Sequence, residues 1–147
     1  MTRFLVADMR DPDAGLSDAA QALDFTEPIA VLMFTILHNV VDRADPWTTV
    51  ARYLDAVCSG SYLAISHPTG DFAPDVMAQV KDALDRDMAE PFILRSREQI
   101  LRFFTGTELV EPGLMHINDW HLEIPPSPPP AAGAVAAPIY GGIGRKP

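Results

Sequence analysis

Ile29 to Phe34 are apolar at every position, and that run narrows the choice of fold sharply. It is far too short to cross a bilayer, and it lacks the polar positions of a surface helix or a half-exposed strand. A short, uninterrupted apolar run reads as a strand buried on both faces, in the middle of an α/β sheet. The downstream residues agree. Ile36-Leu-His-Asn-Val40 leads into an acidic loop, Asp42-Arg-Ala-Asp45, expected to be solvated and to cap a helix. Asp45 is a good N-cap with Pro46 at the first helical position. Val50, Leu54 and Val57 recur at helical spacing with Tyr53 beside them, and Ser59-Gly60 ends that helix. Tyr62 to Ile65 is the next strand. Both strands run out at a histidine, His38 and His67.

The remaining segments repeat the alternation. Phe4 to Ala7 is short, apolar and β-prone, so it is expected as a buried parallel strand. Arg10 to Gly15 holds turn residues, and Ser17 is expected to cap a short helix over 18–23. Pro74 to Asp85 reads as a polar-faced helix with Val76, Val80, Ala83 and Leu84 on its apolar stripe. Ser96 with Gln99 three residues on is a capping box for a helix that buries Ile100, Leu101, Phe103 and Phe104 and stops at Gly106. Glu108 to Val110 is a strand. Residues 122–136 form a Pro- and Ala-rich loop, with stiff polyproline at 125–130. Pro138 to Gly144 closes the sheet. Strands alternating with helices give an α/β protein with right-handed crossovers, mostly parallel, with an antiparallel hairpin at one edge. The whole chain, 1–147, is expected as a single domain.

Charge limits the partners. The formal net charge is −9, so a nucleic-acid duplex or an anionic membrane would be repelled, and neither is an expected partner. Arg95 and Arg97 are the only close basic pair outside the tail. The single cysteine, Cys58, forbids an internal disulfide, and early aspartates interrupt any signal-like N-terminus. A cytoplasmic protein is expected.

In sheets of this kind ligands sit beyond the carboxyl ends of the strands. Asp8 and Met9, Thr35 to His38, Ser66 and His67, and the loop Met115 to His121 with Trp120 collect there. Each has a bland alternative: Asp8 as a turn residue, His38 as a loop histidine bonded to backbone, His67 as a polar closure of its strand. His116 and His121 are not spaced for one helical face and no third ligand completes a set, so no metal is expected. Cys58 is expected as a buried helix-end residue. Trp120, in a loop overhanging the site, is the better candidate for a substrate contact.

Taken in order, Val6-Ala-Asp-Met-Arg-Asp-Pro12, Glu27-Pro-Ile-Ala-Val-Leu-Met33, Leu37-His38, Asp45-Pro46, Gly60-Ser-Tyr-Leu-Ala-Ile-Ser-His67, Arg95-Ser-Arg97, Phe103-Phe104, Leu109-Val-Glu-Pro-Gly113 and Tyr140-Gly-Gly142 resemble a known pattern. The string is similar to the carboxyl-terminal half of an actinobacterial family of S-adenosylmethionine (SAM) dependent methyltransferases. That resemblance implies a partial Rossmann-like methyltransferase sheet. The family's strand order is 3-2-1-4-5-7-6, and this chain would supply the equivalents of strands 3 to 7. It implies SAM as cofactor, with Asp8 accepting a hydrogen bond from the adenine amino group and Met9 packing on the ring. Phe34 and Thr35 would meet the methionine ammonium group, and Leu37 and His38 would line the cofactor or substrate mouth, with a small molecule as acceptor. Apart from the resemblance, His67 is the candidate general base, because a substrate hydroxyl or amine must lose a proton around methyl transfer.

The family's glycine-rich loop after strand one and ribose-gripping acid after strand two have no counterpart here. The isolated chain is therefore expected to be a weak or inactive methyltransferase. The alternative is a non-catalytic remnant that associates with itself or with a partner. Without strands 1 and 2, the Ile29–Phe34 edge is left open to pairing. It would be met by Phe4–Ala7 in a monomer, by a second copy in a homodimer, or by a polypeptide carrying the missing amino-terminal half.

Overall fold

A computed structural model describes residues 2–120 and 137–147. The Pro- and Ala-rich loop at 122–136 and His121 lie outside the described residues. The elements are helix α1 (Pro12–Ala19), strand β1 (Ala30–Phe34), helix α2 (Pro46–Ala56), strand β2 (Tyr62–Pro68), helix α3 (Pro74–Asp87), helix α4 (Arg97–Leu101), short strands β3 (Glu108–Leu109) and β4 (Met115–His116), and strand β5 (Ile139–Arg145). Single 3₁₀ turns follow β1, precede α2, extend α4 and follow β4.

The sheet order is β1-β2-β5-β3, with β4 also on β5. β1 and β2 are parallel, with Met33 opposite Ile65. β5 runs against β2 and against β3 and β4, so four strands share one direction and β5 opposes them. This bears out the partial Rossmann-like α/β sheet and its antiparallel edge. β5 needs glycine where it crosses the helix layer: a Cβ on Gly144 would stand 2.9 Å from Thr107 Cβ and 3.0 Å from Phe104 Cδ1.

The local signals explain most helix starts. Asp45 caps α2 through Thr48 N–H at 3.2 Å, with Pro46 following. The Ser96–Gln99 capping box of α4 forms in both directions. The first helix differs from expectation. It begins at Pro12, capped by Asp11 through Ala14 N–H, rather than after Ser17. Aspartate followed by a proline whose φ is already helical is the stronger start.

The core lies on one face of the sheet. Met33, Leu63 and Ile65 pack there against Leu37, Val50, Leu54, Ile100, Phe103 and Phe104. β1 is not the central strand that its composition suggests. Its other edge pairs with no described strand, and Leu32 and Phe34 are 61% and 57% exposed on the face away from the core. The expected first strand does not form either. Residues 2–7 carry no strand pairing, and Phe4 and Val6 stand fully in solvent. Phe4–Ala7 therefore does not close onto β1. A short apolar segment becomes a strand only when it docks on a ladder, and this one does not, although one edge of β1 is open. No helix among the described residues is long and apolar enough to cross a membrane.

Candidate functional site

The parallel pair β1–β2 ends at a strained corner. Thr35 has φ 43°, a left-handed conformation that costs a β-branched residue about 1–3 kcal/mol. Its N–H is held by the Ser66 carbonyl at 3.0 Å and by Ser66 Oγ at 3.1 Å. The 3₁₀ turn Leu37–Asn39 follows this corner, with the Leu37 side chain fully buried in the core.

One wall of a cleft of about 520 Å³ is built from that turn by Ile36, Asn39 and Val40. The opposite wall includes Ala7, Asp8 and Met9. Arg10 grips the Asp8 carboxylate through Nε at 3.0 Å and Nη2 at 2.7 Å, and Arg10 N–H adds a bond at 2.9 Å. These bonds from Arg10 hold the carboxyl well below its usual range, at about 2, so Asp8 is a permanent acceptor at neutral pH. Tyr53 Oη–H donates to the Met9 carbonyl at 3.4 Å and ties this wall to α2.

Two buried polar atoms have no partner among the described residues: His38 Nδ1 and Asn39 Oδ1. Asn39 lines the cleft, but its oxygen is buried within that wall without a partner rather than open to the cleft. The His38 ring lies 4.7 Å from Phe92, centroid to centroid, and burial, then the Arg95 cation, push its pKa down. His38 is neutral and stands behind the wall.

The turn is anchored from beneath by Arg95, which is 1% exposed. Its Nη1 donates to the Leu37 carbonyl and to His67 Nε2, both at 2.9 Å. Its Nη2 donates to the Val40 carbonyl at 2.6 Å and to Asp42 Oδ1 at 2.7 Å, and Nε reaches the same oxygen at 3.2 Å. Because a guanidinium can only donate, His67 Nε2 must accept, and Nδ1–H must donate to the Pro68 carbonyl at 2.8 Å. Burial pushes the His67 pKa down to about 4.

These placements sort the residues expected from the sequence. Asp8 and Met9 share one cleft, with His38 adjacent to it. Leu37 points into the core and is fully buried, so its side chain lines no mouth. Its carbonyl is taken by Arg95. His67 is fully buried with both ring nitrogens engaged, which leaves no lone pair for a substrate hydroxyl and favours the polar-closure reading over the base. Phe34 belongs to a second, apolar cleft of about 350 Å³ on the open sheet face, with Ser66, Ile117, Trp120 and Gly141. Asp42, expected as merely solvated, is the counter-charge of Arg95. Cys58 is half-buried at the end of α2, 3.9 Å from Ser61 Oγ. His116 packs edge-on against Phe72, and no cluster suited to a metal exists among the described residues. Sequence reasoning missed Asn39 and held Ile36 only within the span Thr35 to His38. It also missed Arg95's role, although a cation directly after the apolar Phe92-Ile-Leu94 was the visible signal.

The profile of a family described as S-adenosyl methyltransferase matches residues 1–147. A crystal structure of a DUF574 family protein from Streptomyces avermitilis is 38% identical over 96% of this chain, with a TM-score of 0.82. A candidate methyltransferase from Thermobifida fusca is 28% identical over 97%, with a TM-score of 0.80. A SAM-dependent methyltransferase from Anabaena variabilis, at 13% identity, 96% coverage and a TM-score of 0.61, shares the fold. The chain spans about half of these structures: 53%, 53% and 57% of their lengths. No curated protein sequence matches the chain.

Proposed function

The chain belongs to the S-adenosyl methyltransferase family, and on that premise we propose that the cleft between Asp8 and Asn39 receives the adenosine end of SAM. The observation that carries this reading is the set of groups around one cleft at the end of a parallel strand pair. They are an ionised carboxylate and the side chains of Met9, Ile36, Asn39 and Val40. These residues fit a purine: a carboxylate acceptor for the exocyclic amine, and apolar walls for the faces of the ring. When bound, SAM supplies a methyl group on a sulfonium for in-line displacement by a nucleophile.

The chain's own contribution is placement. Asp8 orients the base, and the strained Phe34–Thr35 corner stands where the methionine end would lie. Trp120 and Phe34 border the apolar cleft that we assign to a small-molecule acceptor. Holding the reactants in line and excluding water account for much of such a rate enhancement, and no basic side chain is required of this half. The test is calorimetry of the purified chain with SAM. Micromolar binding that weakens at least tenfold in Asp8→Ala supports the reading. A folded chain that takes up no SAM refutes it for this polypeptide.

A second reading draws on the open edge. The free side of β1, with Leu32 and Phe34 exposed on the uncovered face, favours association with a second copy or with a polypeptide carrying the amino-terminal half of the sheet. Concentration-dependent sedimentation without SAM uptake would favour this module over the methyltransferase.

A further inference from the structure

We propose that Arg95 is a positioning residue for the cleft wall, a role that rests on the SAM reading above. Its five N–H donors are all met, and the partners divide in a telling way. Leu37 O, Val40 O and Asp42 Oδ1 lie on the segment after β1, whereas His67 Nε2 lies at the end of β2. One planar fork therefore joins the loop that forms the cleft wall to the rigid sheet beneath it. Ile36, Asn39 and Val40 fall between or beside the clamped positions.

Packing alone would not call for this residue. A buried guanidinium is costly unless every donor is met, and an apolar side chain of similar volume often serves stability as well or better. Lysine has three donors around a point and cannot hold two carbonyls, an imidazole and a carboxylate at once. The surroundings hold the fork in place: the guanidinium carbon is 5.4 Å from the Trp47 ring and 5.5 Å from the Phe103 ring. The loop needs such a clamp. It leaves the sheet through the left-handed Thr35, and besides the local bonds from Asn39 N–H to Ile36 O and Val40 N–H to Leu37 O its backbone has one distant tie, Ile93 N–H to the His38 carbonyl at 2.9 Å, on the segment that leads to Arg95.

The test compares the full chain with Asp42→Asn and Arg95→Lys. Amide hydrogen exchange is read at Asn39 and Val40 in the loop, and at Leu63 and Ile65 in β2. The affinity for S-adenosylhomocysteine and the urea midpoint are measured alongside. The expected result for Asp42→Asn is loop exchange about tenfold faster, β2 exchange and the folding constant from the urea midpoint moved by no more than that same factor, and affinity about tenfold weaker. Arg95→Lys should move the same readouts further. A merely structural role would lower the midpoint and leave the affinity of the folded chain at its wild-type value; that outcome overturns the proposal, as does loop exchange at the wild-type rate. Asp42 is half-exposed, so its variant decides the matter if Arg95→Lys does not fold. A wild-type chain that ignores S-adenosylhomocysteine sinks the SAM reading, while the exchange measurement still judges the clamp on its own.

Discussion

His67 makes the stability of this protein depend on pH in a calculable way. In the folded chain the ring is fully buried and accepts from a guanidinium, so a proton on Nε2 would place two cations in contact. Burial is the larger cause of the lowered pKa, about 4 against an ordinary 6.5. The unfolded chain binds a proton below pH 6.5 that the folded chain refuses until about pH 4. Unfolding is therefore favoured as pH falls through that window, stability is fully present above it, and the dependence levels off below it. A gap of about 2.5 units at about 1.4 kcal/mol each gives roughly 3 kcal/mol lost between pH 7 and pH 4. That is a large share of the roughly 5–15 kcal/mol typical of a domain.

The assay is a series of urea transitions from pH 7.5 to 4.5 on the wild-type chain and on His67→Gln. Glutamine keeps an oxygen for Arg95 to donate to and does not titrate. His38, whose pKa is also lowered, contributes with the same sign in both proteins and cancels in the difference. The variant should show a much flatter dependence in this window. Equal slopes in the two proteins, or an imidazole resonance of His67 titrating near pH 6.5 in the native state, would refute the reasoning.

Three further outcomes are expected from the packing. Gly144→Ala pushes a methyl into Thr107 and Phe104 and should cost about 1–3 kcal/mol in chemical denaturation, with β5 amides losing protection first. Ser96→Ala removes the oxygen that accepts from Gln99 N–H and should lower stability by about 1 kcal/mol, read as a shift in melting temperature of a few degrees. Leu32→Lys, on the uncovered face of β1, should leave the urea midpoint within about 0.5 kcal/mol of wild type while suppressing any self-association seen by sedimentation.

Local chemistry made much of this protein legible in its sequence. The Asp45-Pro46 start, the Ser96–Gln99 box and the apolar runs at 29–34 and 62–65 act within a few residues, and the elements they mark are the ones observed. Asp8 and Met9 are expected at the end of a Phe4–Ala7 strand; that strand does not form, and they line the cleft from an unpaired segment instead. Tertiary structure decided the rest, because the deciding terms act across the chain. Phe4–Ala7 has the composition of a strand, yet it pairs with none, because composition does not dock a segment on an open edge. β1 is apolar on both faces, yet one face is bare because burial depends on what covers it. In the sequence His67 fits a base or a polar closure of its strand, and Arg95 is one of a close basic pair. Desolvation and their mutual hydrogen bond, between residues far apart in the chain, make one neutral and the other a clamp beneath the cleft.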